Sequence, residues 1–136
     1  NCLKDLTPEQ VRQVIIAYEP IWAIGTQTAS NEYIAEMAKF IRSVVKDLFD
    51  EQTAKDVHVL YGGTVNAENA YGIMGIEGID GVLVGGASLD PESFFNIVCS
   101  CPEWDYVKRL LHPNLALDPE KAKKVRAKQN KKHKIK

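Results

Sequence analysis

The chain has 136 residues, of which 45% are hydrophobic and 26% are charged, and its formal net charge is −1. This length suits one ordinary domain with an apolar core, but it falls short of the largest single-domain α/β architectures, which need about 250 residues. No apolar run reaches the ~18 residues of a membrane span. The three cysteines, Cys2, Cys99 and Cys101, lack the spacing of metal ligands, so we expect reduced thiols, no metal site and a cytoplasmic protein.

Charge is unevenly distributed along the chain. Residues 1–101 carry 6 Lys and Arg against 14 Asp and Glu, a net of −8, whereas residues 102–136 carry 11 against 4, a net of +7. We therefore expect a body at residues 1–101 and a basic C-terminal extension at 102–136 that is helical or partly disordered. Because the chain begins with Asn1 rather than Met, we also expect its start to be a truncation.

The first predicted unit is a strand followed by a loop and a helix. Residues 1–13 are typical of the end of a preceding helix, with Val11 and Val14 facing inward. The apolar run VIIA then predicts a strand over about 14–18. It ends on Glu19 and a compact loop at 20–29. A carboxylate that follows a strand is a frequent position for a catalytic base in parallel α/β enzymes.

A helix is predicted from about 31 to 50, capped by Ser30 or Asn31. Its apolar residues recur at steps of three and four, which predicts one buried stripe. The stripe comprises Ile34, Met37, Ala38, Ile41, Val44, Val45, Leu48 and Phe49.

Two more strands are predicted, VHVLY at 57–61 and GVLV at 81–84, each followed by a Gly-Gly pair. A short helix over about 67–75 follows the first, and a helix that begins near 90–92 follows the second. Alternation of strand and helix predicts a parallel sheet. His58 is interpreted as a structural or half-exposed residue, and Glu77 and Asp80 are interpreted as loop charges. A three-stranded parallel sheet has open edges, so we expect the isolated chain to be marginally stable or to aggregate.

Three motifs together carry a family resemblance. They are AYEPIWAIGT at 17–26, YGGTV at 61–65 and GGAS at 85–88. The chain resembles the triosephosphate isomerase family over about residues 3–100, which correspond to the family's last three strands and helices. The resemblance implies an α/β fold that is part of a (β/α)₈ TIM barrel.

The resemblance also implies the chemistry of the site. Glu19 would be the base that removes a proton from the carbon next to the substrate carbonyl and later returns it. Gly25, Thr64, Gly85 and Gly86 would bind the phosphate of a triose phosphate. The reaction interconverts dihydroxyacetone phosphate and glyceraldehyde 3-phosphate, in glycolysis and gluconeogenesis, without a cofactor or metal.

The loop at 20–29, the lid segment, resembles the lid that closes over the substrate in this family. Its implied members are Pro20, Ile21, Trp22, Ala23, Ile24, Thr26 and Ala29. Tyr61 is implied to hold the closed lid through its hydroxyl, and a core tyrosine is the alternative. The sequence GTQTA at 25–29 is one residue shorter than the family's usual GTGKTA, and Thr64 replaces a serine.

Two of the family's catalytic groups have no counterpart here. Its lysine and its electrophilic histidine come from the first half of the barrel, and His58, His112 and His133 do not match the histidine. The resemblance thus implies a fragment that is inactive alone, from a parent that forms a homodimer. The alternative is that the truncated barrel is a non-catalytic module that binds polyanions or other partners.

The basic extension lies outside the resemblance. Its Lys-rich run contains no aromatic residue after Tyr106, so base stacking is not expected and any contact with a polyanion is electrostatic. A solvated tail that offsets the acidic body is the alternative.

We predict that the basic extension binds polyanions weakly. The affinity should fall as the salt concentration rises and should be lost on truncation after Leu117, as measured by fluorescence anisotropy with a labelled polyanion. Binding that survives the truncation would contradict this prediction.

Overall fold

The computed structural model describes residues 2–25 and 27–101, and the extension predicted at 102–136 lies outside the described residues. Three strands alternate with helices. The strands are β1 (Ile15–Tyr18), β2 (His58–Tyr61) and β3 (Gly81–Val82). The helices are α1 (Pro8–Val11), α2 (Asn31–Leu48), α3 (Glu51–Asp56), α4 (Ala70–Met74) and α5 (Pro91–Cys99), and single 3₁₀ turns cover Ile21–Ala23 and Gly86–Leu89. Among the described residues, no helix has the length and apolar character needed to span a membrane.

The sheet is parallel, with the strand order β1-β2-β3. Tyr18 on β1 aligns with Tyr61 on β2, and Tyr61 aligns with Val82 on β3. This confirms the predicted α/β class and the parallel pairing. β3 covers only two of the four residues predicted for it, because among the described residues it has a neighbour on one side only and its ladder ends early.

The two faces of the sheet differ sharply in burial. Val59 and Tyr61 of β2 are fully buried under the helices, together with Val11 of α1. On the opposite face, Ile15 of β1 is 62% exposed and Leu83, just after β3, is 45% exposed. Parallel sheets normally have both faces covered, so this uncovered face is the one that would lie inside a closed barrel.

Local signals set the first helical turn. In a capping box, the Gln10 side chain accepts from the Thr7 backbone N–H at 2.9 Å, and the Thr7 hydroxyl accepts from the Gln10 N–H at 3.3 Å. Pro8 occupies the first helical position, where its missing N–H costs nothing. The turn predicted near the start of the chain is therefore present, and Val11 on it reaches the core.

The helix predicted over 31–50 is present as α2, and it is followed by a second helix, α3, that was not predicted. α2 ends at Leu48, and the Asp50 carboxylate accepts from the Thr53 N–H at 2.7 Å and from the Thr53 hydroxyl at 2.9 Å, which caps a separate α3. The buried stripe is also narrower than predicted, because Val44 is 37% and Leu48 is 55% exposed. The apolar periodicity extends to a flank of α2 that no described residue covers.

Arg42 joins α2 to the amino-terminal edge of the sheet. Its guanidinium donates to the carbonyls of Ala54 at 2.7 Å, Val57 at 3.1 Å and Gly78 at 3.1 Å. It also pairs with Asp80 at 2.7 Å, and the same Asp80 oxygen accepts from the Val59 N–H at 2.7 Å. Asp80 is a charge in the loop before β3, as interpreted, and it also fixes β2 and this loop to α2.

We predict that Arg42→Lys lowers the free energy of unfolding by about 1–2 kcal/mol, because an ammonium replaces few of the hydrogen bonds that the planar guanidinium makes. Arg12→Lys is the matched control. Arg12 meets Asp56 at 3.6 Å and Asp50 at 3.9 Å, and such long pairs contribute about 0–1 kcal/mol. Urea unfolding followed by circular dichroism measures both variants. Equal effects of the two substitutions would contradict the role given to Arg42.

Candidate active site

The parallel register places the segments that follow the three strands at one edge of the sheet. The Gly62 N–H donates to the Tyr18 carbonyl at 2.9 Å, and the Leu83 N–H donates to the Tyr61 carbonyl at 2.9 Å. These bonds continue the ladder past the last paired residues. Glu19, the Gly62–Thr64 turn and the Gly85–Gly86 turn therefore begin at the same carboxyl edge, as the sequence predicted.

Glu19 is exposed and lies directly over Gly62. A Cβ placed on Gly62 would be 2.6 Å from Cγ of Glu19 and 3.3 Å from its Cδ. Only a residue without a side chain leaves the glutamate in this position. Glu19 also continues the alternation of Ile15 and Ala17, whose side chains lie on the uncovered face of the sheet. Its carboxylate is thus available at the edge that would border the interior of a barrel.

The lid segment is anchored to the turn after β2 through Ala23. The buried Ala23 offers its carbonyl oxygen to both the backbone N–H and the hydroxyl of Thr64, each at 2.9 Å. A phosphate bound at Thr64, as the resemblance implies, would use these same two donors. In the described conformation they hold the 3₁₀ turn Ile21–Ala23, so a phosphate would compete with Ala23 for them.

The glycines assigned to phosphate binding are exposed. Gly25 has a φ of +96°, a conformation that other residues adopt only with strain. No described residue lies within 4 Å of a Cβ placed on Gly85 or Gly86, and the Gly85 carbonyl accepts from the Ser88 N–H and hydroxyl to close a 3₁₀ turn. Open backbone therefore borders the edge after β3. Thr26, assigned to the lid segment, lies outside the described residues.

Tyr61 is fully buried beneath Gly63, and its ring fills the space that a side chain there would occupy. Within the described residues its hydroxyl makes no hydrogen bond of acceptable geometry. Burial raises the pKa of Tyr61, and the backbone N–H of Ala29 lowers it by a smaller amount. The phenol is thus both a core side chain and a neighbour of the far end of the lid segment.

An aromatic cluster that sequence reasoning missed lies beside the lid segment. The hydroxyls of Tyr18 and Tyr33 are 3.0 Å apart, and the rings of Trp22 and Tyr33 meet edge to face with centroids 5.3 Å apart. Tyr33 lies on the first turn of α2. Sequence periodicity assigned no function to this position, because contacts between residues 11 and 15 positions apart leave no local pattern.

Burial and the hydrogen bond with Tyr33 raise the pKa of Tyr18 to about 12, from an ordinary value of 10.0. The raised pKa means that the native state favours the protonated phenol. The contribution of the Tyr18 phenol to stability is complete below pH 10 and is lost as the pH rises towards 12.

We predict that Tyr33→Phe lowers the pKa of Tyr18. The titration of Tyr18 is measured at 295 nm as the difference between each protein and the same protein carrying Tyr18→Phe. An unchanged Tyr18 titration would show that the hydrogen bond does not form.

Other polar groups lie away from this edge. His58 is exposed at the start of β2, the opposite end of the strand from Gly62, while His112 and His133 lie outside the described residues. No group of three His, Cys, Asp or Glu side chains within residues 2–25 and 27–101 is placed to hold a metal ion. A shallow cavity of about 430 Å³ surrounds Arg42 and Asp80 at the amino-terminal edge. Because its lining includes the structural contacts of Arg42, we do not assign it a ligand.

Comparison with known proteins supports the resemblance. A family model described as triosephosphate isomerase matches residues 1–101. Triosephosphate isomerase of Lactobacillus acidophilus is 57% identical over 97 residues, which are 71% of this chain and 38% of that protein. Those of Pediococcus pentosaceus and Chloroherpeton thalassium are 56% and 50% identical over 99 residues, which are 72% of this chain and 39% of each relative.

The chain thus spans 38–39% of the length of these relatives. The match covers all three strands and the turns that follow them, including Glu19 and both Gly-Gly pairs. Together with the parallel sheet, this confirms the resemblance drawn from the motifs: the chain belongs to the triosephosphate isomerase family.

Proposed function

We propose that residues 1–101 supply the last three strand–helix units of a (β/α)₈ barrel that interconverts dihydroxyacetone phosphate and glyceraldehyde 3-phosphate. The observation that carries the proposal is the position of Glu19 over Gly62. It places a carboxylate at an edge lined by exposed glycines, beside a sheet face that lacks a cover. A barrel would close that face with side chains from the other strands.

In this proposal Glu19 is the catalytic base. It takes a proton from the carbon that bears the hydroxyl, next to the substrate carbonyl, and the electron pair left behind forms the double bond of an enediolate. As this bond forms, the carbonyl π electrons move to the carbonyl oxygen, which takes up the proton of the neighbouring hydroxyl. Return of the first proton to the former carbonyl carbon then leaves the new carbonyl at the carbon that lost it, which gives the isomer. A closed lid segment would exclude water from Glu19. This would make the carboxylate a stronger base, because desolvation disfavours its charged form.

Phosphate binding is assigned to Gly25, Thr64, Gly85 and Gly86. The backbone around the three glycines is open, and Thr64 contributes one N–H and one hydroxyl. Because Ala23 accepts both Thr64 donors in the described conformation, binding of the phosphate and movement of the lid segment are linked. Thr26 is included in the lid segment by family resemblance, and Tyr61 is proposed to hold that segment through Ala29.

The described residues offer no electrophile near Glu19, so we propose that the isolated chain is inactive. A family histidine and lysine from the remaining strands would polarise the substrate carbonyl, and each such donor typically contributes about 10²–10³ in rate. We further propose a cytoplasmic homodimer for the complete protein. Family resemblance supports both the homodimer and the location, and the three free cysteines support the location.

A chimera tests the proposal. Residues 1–101 replace the matching part of the Lactobacillus acidophilus relative, which supplies the rest of the barrel. We expect the chimera to interconvert the two triose phosphates in a coupled assay, while the isolated 136-residue chain does not. A folded chimera without activity, or one unable to bind a phosphate-bearing substrate analogue, would overturn the proposed function.

A further inference from the structure

Tyr33 connects the strand that carries Glu19 to the hinge of the lid segment. Its hydroxyl meets that of Tyr18, the residue before Glu19, at 3.0 Å, and its ring meets Trp22 edge to face at 5.3 Å. We propose that Tyr33 is a positioning residue that holds the Trp22 hinge in place while a ligand binds. The inference rests on the proposed function in one respect, since it takes residues 20–29 to be a lid.

Tyr33 is suited to this role because α2 holds it firmly. The Ser30 hydroxyl caps α2 by accepting from the Tyr33 N–H at 3.2 Å, and the next residue, Ile34, is fully buried. The hinge itself is exposed: Ile21 is 87% and Trp22 is 49% accessible to solvent. A fixed aromatic edge on a helix can therefore restrict an indole of which about half is exposed to solvent.

The hinge has a second anchor, and the two respond differently to a ligand. Ala23 is held by the two donors of Thr64, which a phosphate would take for itself. The contact between Trp22 and Tyr33 uses no group assigned to the phosphate. When a ligand releases Ala23 from Thr64, Tyr33 is thus the anchor that remains. It would keep the hinge ordered and so reduce the conformational entropy lost on binding.

The first test measures the hinge directly in the full 136-residue chain, independently of activity. Trp104→Phe leaves Trp22 as the single tryptophan. In this background we expect Tyr33→Ala to shift the emission of Trp22 to longer wavelength and to increase its quenching by acrylamide. Tyr33→Phe keeps the ring and should retain most of the restriction. Tyr71→Ala, which removes an exposed tyrosine on α4, is the matched control and should change neither signal.

The second test uses the chimera and reads binding separately from chemistry. Loss of one aromatic pair shifts an equilibrium by about 2- to 10-fold, so Tyr33→Ala should raise KM by that factor and leave kcat nearly unchanged. Tyr33→Phe should restore KM. An inactive chimera would contradict the proposed function, and the fluorescence measurement on the 136-residue chain would then test the role of Tyr33 by itself. A Trp22 signal equally insensitive to Tyr33→Ala and Tyr71→Ala in a folded chain, or an unchanged KM in an active chimera, would overturn the inference.

Discussion

Replacing Glu19 with Gln in the chimera is expected to lower kcat by about 10²–10⁴-fold, which is the usual contribution of a positioned general base. The amide has nearly the same shape as the carboxylate but cannot accept the proton. Binding should survive, because the groups assigned to the phosphate are untouched. The coupled assay measures kcat, and titration with a phosphate-bearing substrate analogue measures affinity. Unchanged turnover would refute the assignment of Glu19.

Two matched variants sharpen this result. Glu19→Asp keeps the charge but shortens the reach by one methylene, and a misplacement of about 1 Å can cost about 10²-fold in rate. Glu77→Gln makes the same chemical change as Glu19→Gln at an exposed residue near the amino-terminal edge. It should leave both kcat and affinity unchanged. A loss of turnover in Glu77→Gln would show that charge alone, rather than position at the carboxyl edge, sets the rate.

The sequence predicted the order of elements and the edge that carries the site because both follow from short-range patterns. Apolar runs mark the strands, the first stopped by Glu19 and Pro20 and the other two by Gly-Gly pairs, and alternation with helices makes the sheet parallel. The α2–α3 break depends on a side chain instead: Asp50 caps Thr53 and restarts the helix. The predicted apolar stripe ends at Phe49, so periodicity predicted α2 but not the separate α3.

Contacts between residues that are far apart in the chain could not be predicted from the sequence patterns. Asp80 reads as a loop charge until Arg42, 38 positions earlier, is seen to pair with it at 2.7 Å. Tyr33 similarly acquires its partners only when α2 packs beside the end of β1. Residues predicted to be buried, such as Val44 and Leu48, are exposed because the elements that would cover them are not among the described residues.

Gly62 and Gly63, the adjacent glycines of the turn after β2, are expected to affect different properties when each is changed to alanine: the first kcat, the second the free energy of unfolding. We predict that Gly62→Ala lowers kcat of the chimera by about 10²-fold and changes the free energy of unfolding by less than about 0.5 kcal/mol. Gly63→Ala should instead destabilise the protein by about 1–3 kcal/mol, the range for overpacking a core.

The difference arises from what each new methyl group meets. At Gly62 it would lie 2.6 Å from Cγ of Glu19, an exposed side chain that can rotate away and so leaves the reactive position. At Gly63 it would clash with the hydroxyl oxygen and Cζ of Tyr61, whose ring is fully buried. Neither glycine has a positive φ, so backbone strain does not separate the two variants.

Urea unfolding and the coupled assay on the same preparations distinguish these outcomes, and a double-mutant cycle tests the cause. If Gly62→Ala acts by displacing Glu19, it should have little further effect on kcat once Glu19 is already Gln, because residues in contact are not additive. A full and independent loss in the double variant would contradict this mechanism. Equal destabilisation by Gly62→Ala and Gly63→Ala would contradict the explanation from the side chains of Glu19 and Tyr61. It would indicate that both glycines are needed for the backbone conformation of the turn.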